Sequence, residues 1–392
     1  MKIQDPHCKA EMNDTLVLER PVINEGKLWF NYHSGILNEK FSVTVPDDFR
    51  CHNDLLIAFF ISIFGSAFPK VFVNFSVSEN CLLELSSLAA IDIESNGRCN
   101  QWRPGSTPYL AFSGGLDSLA AHLLLPDYFK LASIDFGAKF SRERTFFEKF
   151  DTTIITTDFR QSSDKNLHWM FMGAPLILFA EYLNMTGFGF GTVFEATVAH
   201  LTPPHYQHRI ARSFRNAVSL NDLTITRGIT EFATAKIVCR LAPNLVIDSL
   251  RSLAQEGTEK QFRKQLFIKR ETMNATDLTS DSLSSLRIPA KKIKIGTSFA
   301  LDLVYLAFAT TSMKNLILST VENPDSVIRF LSSNIDMSWV DRYNPAFLGQ
   351  LPYNCKGDMI NSLHDVGIPL FSNADFENYG KYREYWIANS GK

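Results

Sequence analysis

The 392-residue sequence has no excess of charge of either sign, because 39 Lys and Arg residues are balanced by 41 Asp and Glu residues. A free-standing nucleic-acid-binding protein is usually basic overall, so this balance argues against that class. No long apolar run is present: the most apolar stretch, residues 55–68, is too short to span a bilayer and predicts a buried helix. The first twenty residues are polar and charged, which is not the pattern of a secretory signal. We therefore expect a cytoplasmic protein without a membrane partner.

Paired cysteines are also missing. The six cysteines are scattered and no two of them form a C-x-x-C pair, which excludes a zinc ribbon and a thioredoxin-like redox motif. At this length and spacing, we expect free thiols in a reducing compartment.

The pattern of apolar residues divides the chain into three parts. Short β-type runs separated by Asn, Gly and Pro predict an N-terminal mixed β unit over residues 1–104, which ends at the Pro-Gly-Ser cluster 104–106. From residue 109, strands alternate with helices, which predicts an α/β domain with a doubly wound parallel sheet over residues 105–275. An α-rich C-terminal segment over residues 276–392 follows. The predicted elements used below are a helix at 118–125, a long apolar helix at 169–183, a strand at 187–193 and a helix at 231–241.

The segment Ser113-Gly114-Gly115-Leu116-Asp117-Ser118 lies between a predicted strand and a predicted helix. Its glycines permit positive φ and a close approach to a ligand, successive N–H groups can surround an anion, and the helix start adds a positive end. Ser113 and Ser118 supply hydroxyl donors, and Asp117 would hold Mg²⁺ or cap the helix. The alternative is a plain strand-to-helix turn with Asp117 or Ser118 as the N-cap. No Gly-Lys-Ser/Thr follows, so this is not a Walker loop, and the glycine spacing is not that of a dinucleotide-binding fingerprint.

This segment resembles the signature of the PP-loop ATP pyrophosphatases. Enzymes of that family adenylate a substrate oxygen with release of pyrophosphate, after which ammonia, an amine or sulfur displaces AMP. The resemblance implies ATP and Mg²⁺ as ligands. It also implies that residues 113–118, Leu116 included, bind the nucleotide, that Asp117 holds the metal, and that Asp117 and Ser118 take part in catalysis.

Within that family the chain is similar to the 7-cyano-7-deazaguanine synthase branch over roughly residues 107–270. The run 133–137, with Asp135, Phe136 and Gly137, is similar to the strand that ends beside the adenine. The run 188–195 is similar to the next strand, which places Gly191 and Glu195 at the nucleotide. The resemblance implies a carboxylated deazaguanine or another purine-like acid as substrate. Distant relatives resemble proteins of antiphage operons that join a deazaguanine to a protein amine, so a protein acceptor is a further expectation.

The chain departs from that branch at two places. The Arg-Asn pair of one helix start is missing near residues 172–175, and residues 259–265 contain no cysteine where the branch binds zinc, so zinc is not expected. In a basic run at 260–270, Arg263 or Lys264 would reach the triphosphate and stabilise developing charge, although a solvated helix face is an equal interpretation.

Three further points stay open at this level. Sulfur insertion would require a reactive cysteine, for which Cys99 and Cys239 are the candidates. Alternatively, the missing features indicate a nucleotide-binding scaffold without catalysis. His200, His205 and His208 form a polar group that is more consistent with a substrate loop than with a metal site, because Pro203-Pro204 interrupts any helix there.

Overall fold

The computed structural model describes residues 15–35, 37–162, 169–197, 213–273, 286–351 and 353–390. It shows an α/β protein with a six-stranded mixed sheet, a five-stranded parallel sheet and many helices. The chain groups into two compact units, each built from several segments. The first unit comprises Met1–Ser113, Asp127–Gly189 and Ala211–Leu223, and the second comprises Gly114–Pro126, Phe190–Ile210 and Thr224–Lys392. The three-part division expected from the sequence stays a prediction.

The strands and helices follow one another along the whole chain. The strands are β1 Leu16–Leu18, β2 Val22–Asn24, β3 Lys27–Ser34, β4 Leu37–Thr44, β5 Lys70–Val73, β6 Asp92–Ser95, β7 Thr107–Ala111, β8 Lys130–Asp135, β9 Thr152–Thr156, β10 Met185–Gly189 and β11 Asn221–Asp222. The α-helices are α1 Asn53–Phe64, α2 Glu79–Ala89, α3 Leu116–Leu124, α4 Ser141–Phe147, α5 Phe159–Ser162, α6 Ala174–Leu178, α7 Glu231–Leu241, α8 Val246–Leu253, α9 Glu259–Met273, α10 Phe299–Ala309, α11 Lys314–Thr320, α12 Pro324–Ser332, α13 Tyr353–Asp365 and α14 Asn373–Asn389.

Both sheets lie in the first unit. The mixed sheet has the order β2-β3-β1-β5-β6 with β4 paired to β3; β3 and β4 form an antiparallel hairpin, whereas β1, β5 and β6 are parallel. Alternate residues of β3, namely Leu28, Phe30 and Tyr32, are buried, as expected of a strand with one face on a core. A mixed sheet in this part of the chain agrees with the sequence prediction, whereas the N-terminal unit over residues 1–104 stays a prediction.

The second sheet is parallel throughout. Its order is β9-β8-β7-β10-β11, so that in chain order the first strand, β7, lies between the second and the fourth. The chain leaves β7 at residue 111 and leaves β10 at residue 189. The strands that flank β7 are therefore β8 and β10.

The second unit is helical. Phe232 of α7, Phe267 of α9 and Phe308 of α10 form a triangle of rings with centroid separations of 4.7, 4.7 and 5.1 Å, which packs these three helices together. Across the ranges that the structure describes, no helix is both long and apolar enough to cross a membrane.

Two elements differ from the sequence prediction. The long helix expected at 169–183 is a 3-10 turn over Trp169–Gly173 followed by the short α6, and the chain then turns back into β10 with Asn184 at a φ of +48°. The strand expected at 187–193 ends at Gly189, because the next amide, that of Phe190, donates to the Thr224 hydroxyl at 3.0 Å instead of to a neighbouring strand. The helix predicted at 231–241 is confirmed as α7.

Candidate functional site

The glycine-containing bend lies where β7 gives way to α3. Gly114 adopts a φ of +74°, a left-handed conformation that favours glycine. Gly115 is the N-cap of α3 and has no side chain with which to cap the helix, so α3 begins without a side-chain cap hydrogen bond. A helix start of this kind presents backbone N–H groups and the positive end of the helix dipole, which together suit an anion.

The residues of this bend differ in their access to solvent. Ser113 is exposed and the Asp117 side chain is 24% exposed, whereas Gly114, Gly115, Leu116 and Ser118 are buried. The Ser118 hydroxyl donates to the Gly115 carbonyl at 3.0 Å.

The bend is also tied to helix α8. Ser249 of α8 donates its hydroxyl to the Gly114 carbonyl at 2.8 Å. Because both carbonyls of the two glycines accept side-chain hydroxyls within the second unit, the bend has a fixed geometry.

Asp117 in the first turn of α3 meets side chains from two other helices. Its Oδ1 accepts a hydrogen bond from the Thr234 hydroxyl of α7 at 2.7 Å. Lys264 of α9 donates its ammonium to both carboxylate oxygens of Asp117, at 2.9 and 2.8 Å, and the Lys264 side chain is only 2% exposed. The structure thus brings together Asp117 and Lys264, two of the residues that the sequence indicated.

Lys264 belongs to a larger group of buried charges in the second unit. Its Nζ lies 3.0 Å from Oε2 of Glu231, the first residue of α7. Arg263 pairs with the same Glu231 and with Glu259 at 2.9 Å, and Glu259 in turn accepts the Tyr305 hydroxyl at 3.0 Å. The two basic residues therefore do not form a solvated helix face: their partners are carboxylates inside the unit.

The balance of burial and charge sets the protonation of this group. Burial lowers the pKa of Lys264, but the carboxylates of Asp117 and Glu231 raise it by a larger amount. The pKa of Lys264 therefore lies above its ordinary value. Burial alone would raise the pKa of Glu231, but Lys264 and Arg263 outweigh it and the pKa is lowered. Lys264 is therefore an ammonium and Glu231 a carboxylate at neutral pH.

Glu195 lies beside this group, but among the described residues it forms no ion pair with Lys264, Arg263 or another cation. It lies in the 3-10 turn Phe194–Ala196, is 3% exposed, and its Oε1 accepts the backbone N–H of Glu231 at 2.9 Å. Its Oε2 is buried and has no hydrogen-bond partner within the described part of the chain. Burial, and then the charge of Glu231, raises the pKa of Glu195 to about 8. This carboxyl holds a proton at neutral pH.

Gly191 lies against the start of α3. A Cβ at this position would lie 2.4 Å from the backbone nitrogen of Ser118 and 2.6 Å from the carbonyl carbon of Asp117, closer than real Cβ atoms come. Only glycine allows the segment after β10 to pass so close to the helix start. This approach gives the sequence-predicted Gly191 a structural role beside Asp117.

The residues predicted to lie beside the adenine are in the first unit. Asp135 ends β8, accepts the Gly137 N–H at 2.8 Å and pairs with Arg144 at 3.2 Å. Gly137 has a φ of +68°, and the buried Phe136 packs its edge on Phe159 with the ring centroids 5.5 Å apart. In this unit, Asp135 shapes the turn that follows β8, and its nucleotide role stays a prediction.

At both candidate cysteines, burial disfavours the thiolate form of the side chain. Burial raises the pKa of the Cys239 thiol to about 12, and burial followed by the Asp54 charge raises that of Cys99. Cys99 also approaches His52 and Asp54, with one ligand atom of each within 4.8 Å of the others. However, Asp54 already accepts the backbone N–H groups of Ser78 and Trp102, at 2.8 and 3.1 Å. The expectation of no zinc stays a prediction, and His200, His205 and His208 lie outside the described residues.

Sequence reasoning gave no role to Thr234, and it placed Glu231 at a helix start without assigning it a partner. Their spacing of three residues in the first turn of a helix puts both side chains on one face, which was the available signal. What they contact depends on α3 and α9, which lie far away in the sequence. Comparisons of the chain with protein-family models, with curated proteins and with solved structures give no match, so the candidate site is argued from its own geometry.

Proposed function

We propose that the chain is an ATP pyrophosphatase of the PP-loop type. It would adenylate a carboxylate or carbonyl oxygen of its substrate, and ammonia or an amine would then displace AMP. The observation that carries the proposal is Asp117: this carboxylate follows a Gly-Gly bend at the start of α3 and is held by the buried Lys264 and by Thr234.

The topology of the parallel sheet supports this proposal. The order β9-β8-β7-β10-β11 is the order of the first five strands of doubly wound nucleotide-binding folds, in which ligands bind where the winding reverses. The bend 113–118 follows β7 in the chain, and Gly191 follows β10, so the segments that carry these candidate residues come directly after the two strands that flank such a reversal point.

The oxygen atoms of Asp117 also suit Mg²⁺. A carboxylate offers about four lone-pair positions. Three are engaged among the described residues, by Thr234 and Lys264 on Oδ1 and by Lys264 on Oδ2. One position on Oδ2 remains, on a side chain that is 24% exposed. Asp117 would hold the ion, which when bound would neutralise charge on the phosphates.

The roles of the chain's own groups follow from their chemistry. The backbone N–H groups of the bend would bind the pyrophosphate part of ATP, and the Lys264 ammonium would keep Asp117 ionised and in place. The substrate oxygen would bond to the α-phosphorus as the bond to the bridging oxygen breaks and pyrophosphate leaves. The amine nitrogen would then bond to the activated carbon as the bond between that carbon and the phosphate oxygen breaks. AMP would leave with that oxygen and the electron pair, and the amine would release its proton.

That proton would pass to solvent, because the raised pKa of Glu195, about 8, keeps this carboxyl protonated at neutral pH. The raised thiol pKa of Cys239 gives no support to sulfur transfer, because the nucleophile there is a thiolate. A purine-like acid as substrate and a protein amine as acceptor remain the expectations of the sequence resemblance.

The proposal is tested by measuring nucleotide binding and reaction products for the wild type and for two matched aspartate variants. Wild type should bind a fluorescent, non-hydrolysable Mg·ATP analogue and, with α-labelled ATP, a carboxylated purine-like acid and an acceptor amine, should form AMP and pyrophosphate. Asp117→Asn should weaken analogue binding at least ~10-fold, which corresponds to 1.4 kcal/mol. Asp127→Asn is the control, because this exposed aspartate follows the other end of α3.

Each other outcome has a defined meaning. Formation of ADP and phosphate, or equal binding by Asp117→Asn and wild type, would contradict the proposal. Binding of the analogue without AMP formation, across carboxylated purine-like acids with ammonia or amines, would identify a nucleotide-binding scaffold instead.

A further inference from the structure

The helical unit contains a small cavity that takes no part in the candidate site. It has a volume of about 40 Å³ and lies among the segment before α10, α10 itself, α12 and α14. Its wall includes Gly296, Asp302, Ser326, Tyr385, Trp386 and Asn389.

Asp302 gives this cavity its chemistry. The residue is 0% exposed, and its Oδ2 accepts the Trp386 indole N–H at 2.8 Å and the Gly296 backbone N–H at 3.0 Å. Its Oδ1 is buried and accepts no hydrogen bond from any residue that the structure describes. Burying a carboxylate oxygen that accepts no hydrogen bond costs free energy, and such atoms are rare in native proteins.

No cation of the described chain neutralises Asp302. Both of its hydrogen-bond donors are neutral, and it forms no ion pair within the described ranges. Arg329 lines the cavity, but its side chain is exposed, where solvent and salt screen its charge. The carboxylate therefore lacks a positively charged partner inside the protein.

The size of the cavity limits what that partner can be. One water-sized particle requires about 10–15 Å³ of such volume, so 40 Å³ admits about three. A nucleotide, a purine ring or a guanidinium group with its stem does not fit. An ammonium ion or the head of a primary amine does.

The remaining walls suit a cation with hydrogen atoms to donate. Tyr385 and Trp386 add aromatic side chains to the wall. The backbone oxygen of Asn389 lies 3.3 Å from where a Cβ of Gly296 would be, so it borders the same space as a further acceptor. A buried carboxylate and a carbonyl oxygen together provide the acceptors that a protonated amine requires.

We propose that the Asp302 cavity binds a small protonated amine, either a free ammonium ion or the terminal ammonium group of an alkyl chain. Asp302 is the counter-ion, and the indole of Trp386 fixes its orientation through Oδ2. The inference does not rest on the proposed reaction and would stand if the chain never bound ATP.

Thermal unfolding at fixed ionic strength tests this binding. Wild type is compared in chlorides of ammonium, methylammonium, n-butylammonium, tetramethylammonium and sodium. The unfolding midpoint should rise with the concentration of ammonium and methylammonium, because a ligand of the native state stabilises it. It should not rise with tetramethylammonium, which is too large and donates no hydrogen bond. A response to n-butylammonium would indicate an amine on an alkyl chain, and its absence a free ammonium ion.

Asp302→Asn keeps the shape and an acceptor for the Trp386 indole but removes the charge, so it should lose the ammonium response. Asp336→Asn is the control, because Asp336 is exposed and its hydrogen bonds to described residues are those within its own turn to Ser338. Equal responses of wild type to every salt, or a retained ammonium response in Asp302→Asn, would overturn the proposal.

If Asp302→Asn fails to fold, crystals of the wild-type chain soaked in rubidium chloride decide the matter. Rubidium resembles ammonium in size and scatters anomalously. An anomalous peak beside the Asp302 carboxylate supports the cation site, and ordinary water density alone refutes it.

Discussion

Substitution of Gly191 by alanine tests the close approach on which the candidate site is built. The added Cβ would lie 2.4 Å from the Ser118 nitrogen, 2.6 Å from the Asp117 carbonyl carbon and 2.7 Å from the Ser118 Cα. Non-bonded carbon contacts are normally about 3.5–4.0 Å, so the overlap is about 1 Å. All three atoms belong to the backbone, so no side-chain rotation can relieve it. Overpacking of this kind typically costs about 1–3 kcal/mol.

The relief of that overlap must move the start of α3. A shift of about 1 Å would break the hydrogen bonds of the Asp117 carboxylate to Lys264 and Thr234, because these bonds of 2.7–2.9 Å would become too long. Misplacement by about 1 Å at a reacting centre can cost about 100-fold in rate. We therefore expect Gly191→Ala to lose both stability and binding of the Mg·ATP analogue.

Gly357→Ala in α13 is the matched control. A Cβ there meets nothing within 4 Å, and glycine inside a helix is destabilising by about 0.5–1 kcal/mol relative to alanine. Urea unfolding followed by circular dichroism should show a lower free energy of unfolding for Gly191→Ala and an equal or higher one for Gly357→Ala. Gly191→Ala with wild-type stability would refute the packing argument, and a destabilised variant that binds the analogue normally would refute its link to the site.

Three other variants test separate parts of the structure. Because the pKa of Glu195 is raised from 4.5 to about 8, the folded chain retains a proton that the unfolded chain loses in this window, so stability should fall by up to about 1.4 kcal/mol per pH unit as pH rises. Glu195→Gln should remove that slope in urea titrations at pH 5, 6.5 and 8, and an unchanged slope would contradict the assignment. Lys264→Met should lower the free energy of unfolding by about 3–5 kcal/mol in the same assay, because Asp117 and Glu231 lose a buried cation. Adding Asp117→Asn to this variant should recover part of the lost stability. If the effects of the two substitutions simply add, the coupling of Lys264 and Asp117 is refuted. In the first unit, the Asp158 carboxylate accepts the Ser42 N–H at 2.6 Å and the Ser42 hydroxyl at 2.8 Å. Asp158→Ala removes both acceptors and should lower the free energy of unfolding by about 1–3 kcal/mol. A decrease below about 0.5 kcal/mol would contradict this prediction.

Elements whose signals are local could be predicted from the sequence. Helix α7 begins at Glu231 because the Thr230 hydroxyl accepts the Phe232 N–H as an N-cap, a signal that lies entirely within three residues. The Gly-Gly bend is similar, because the positive φ of Gly114 is a property of one residue. The alternation of strands and helices after residue 105 likewise indicated the parallel sheet.

Features that depend on distant contacts could not be predicted in the same way. Lys264 lies in a run of basic residues that reads as a solvated helix face, yet its side chain is 2% exposed, because carboxylates from α3 and α7 surround its ammonium. The apolar stretch at 169–183 has the composition of a long helix, but it begins with the 3-10 turn Trp169–Gly173, α6 ends at Leu178, and the chain turns at Asn184 into β10. At Lys264 a tertiary contact overrides the local pattern.

Burial first, and the neighbouring charges second, explain why one carboxyl of the candidate site holds a proton. Asp117, Glu231 and Glu259 already carry three negative charges against the two positive charges of Lys264 and Arg263, and an ionised Glu195 would add a fourth. Protonation of Glu195 avoids that addition, because its Oε1 accepts the backbone N–H of Glu231 and lies beside the excess negative charge. A cation bound at Asp117 would add positive charge and lower the pKa of Glu195, whereas phosphate oxygens at the bend would raise it. If ion and nucleotide bind at the bend as proposed, their binding and the proton on Glu195 would be coupled, and the order of binding would set when that proton is released.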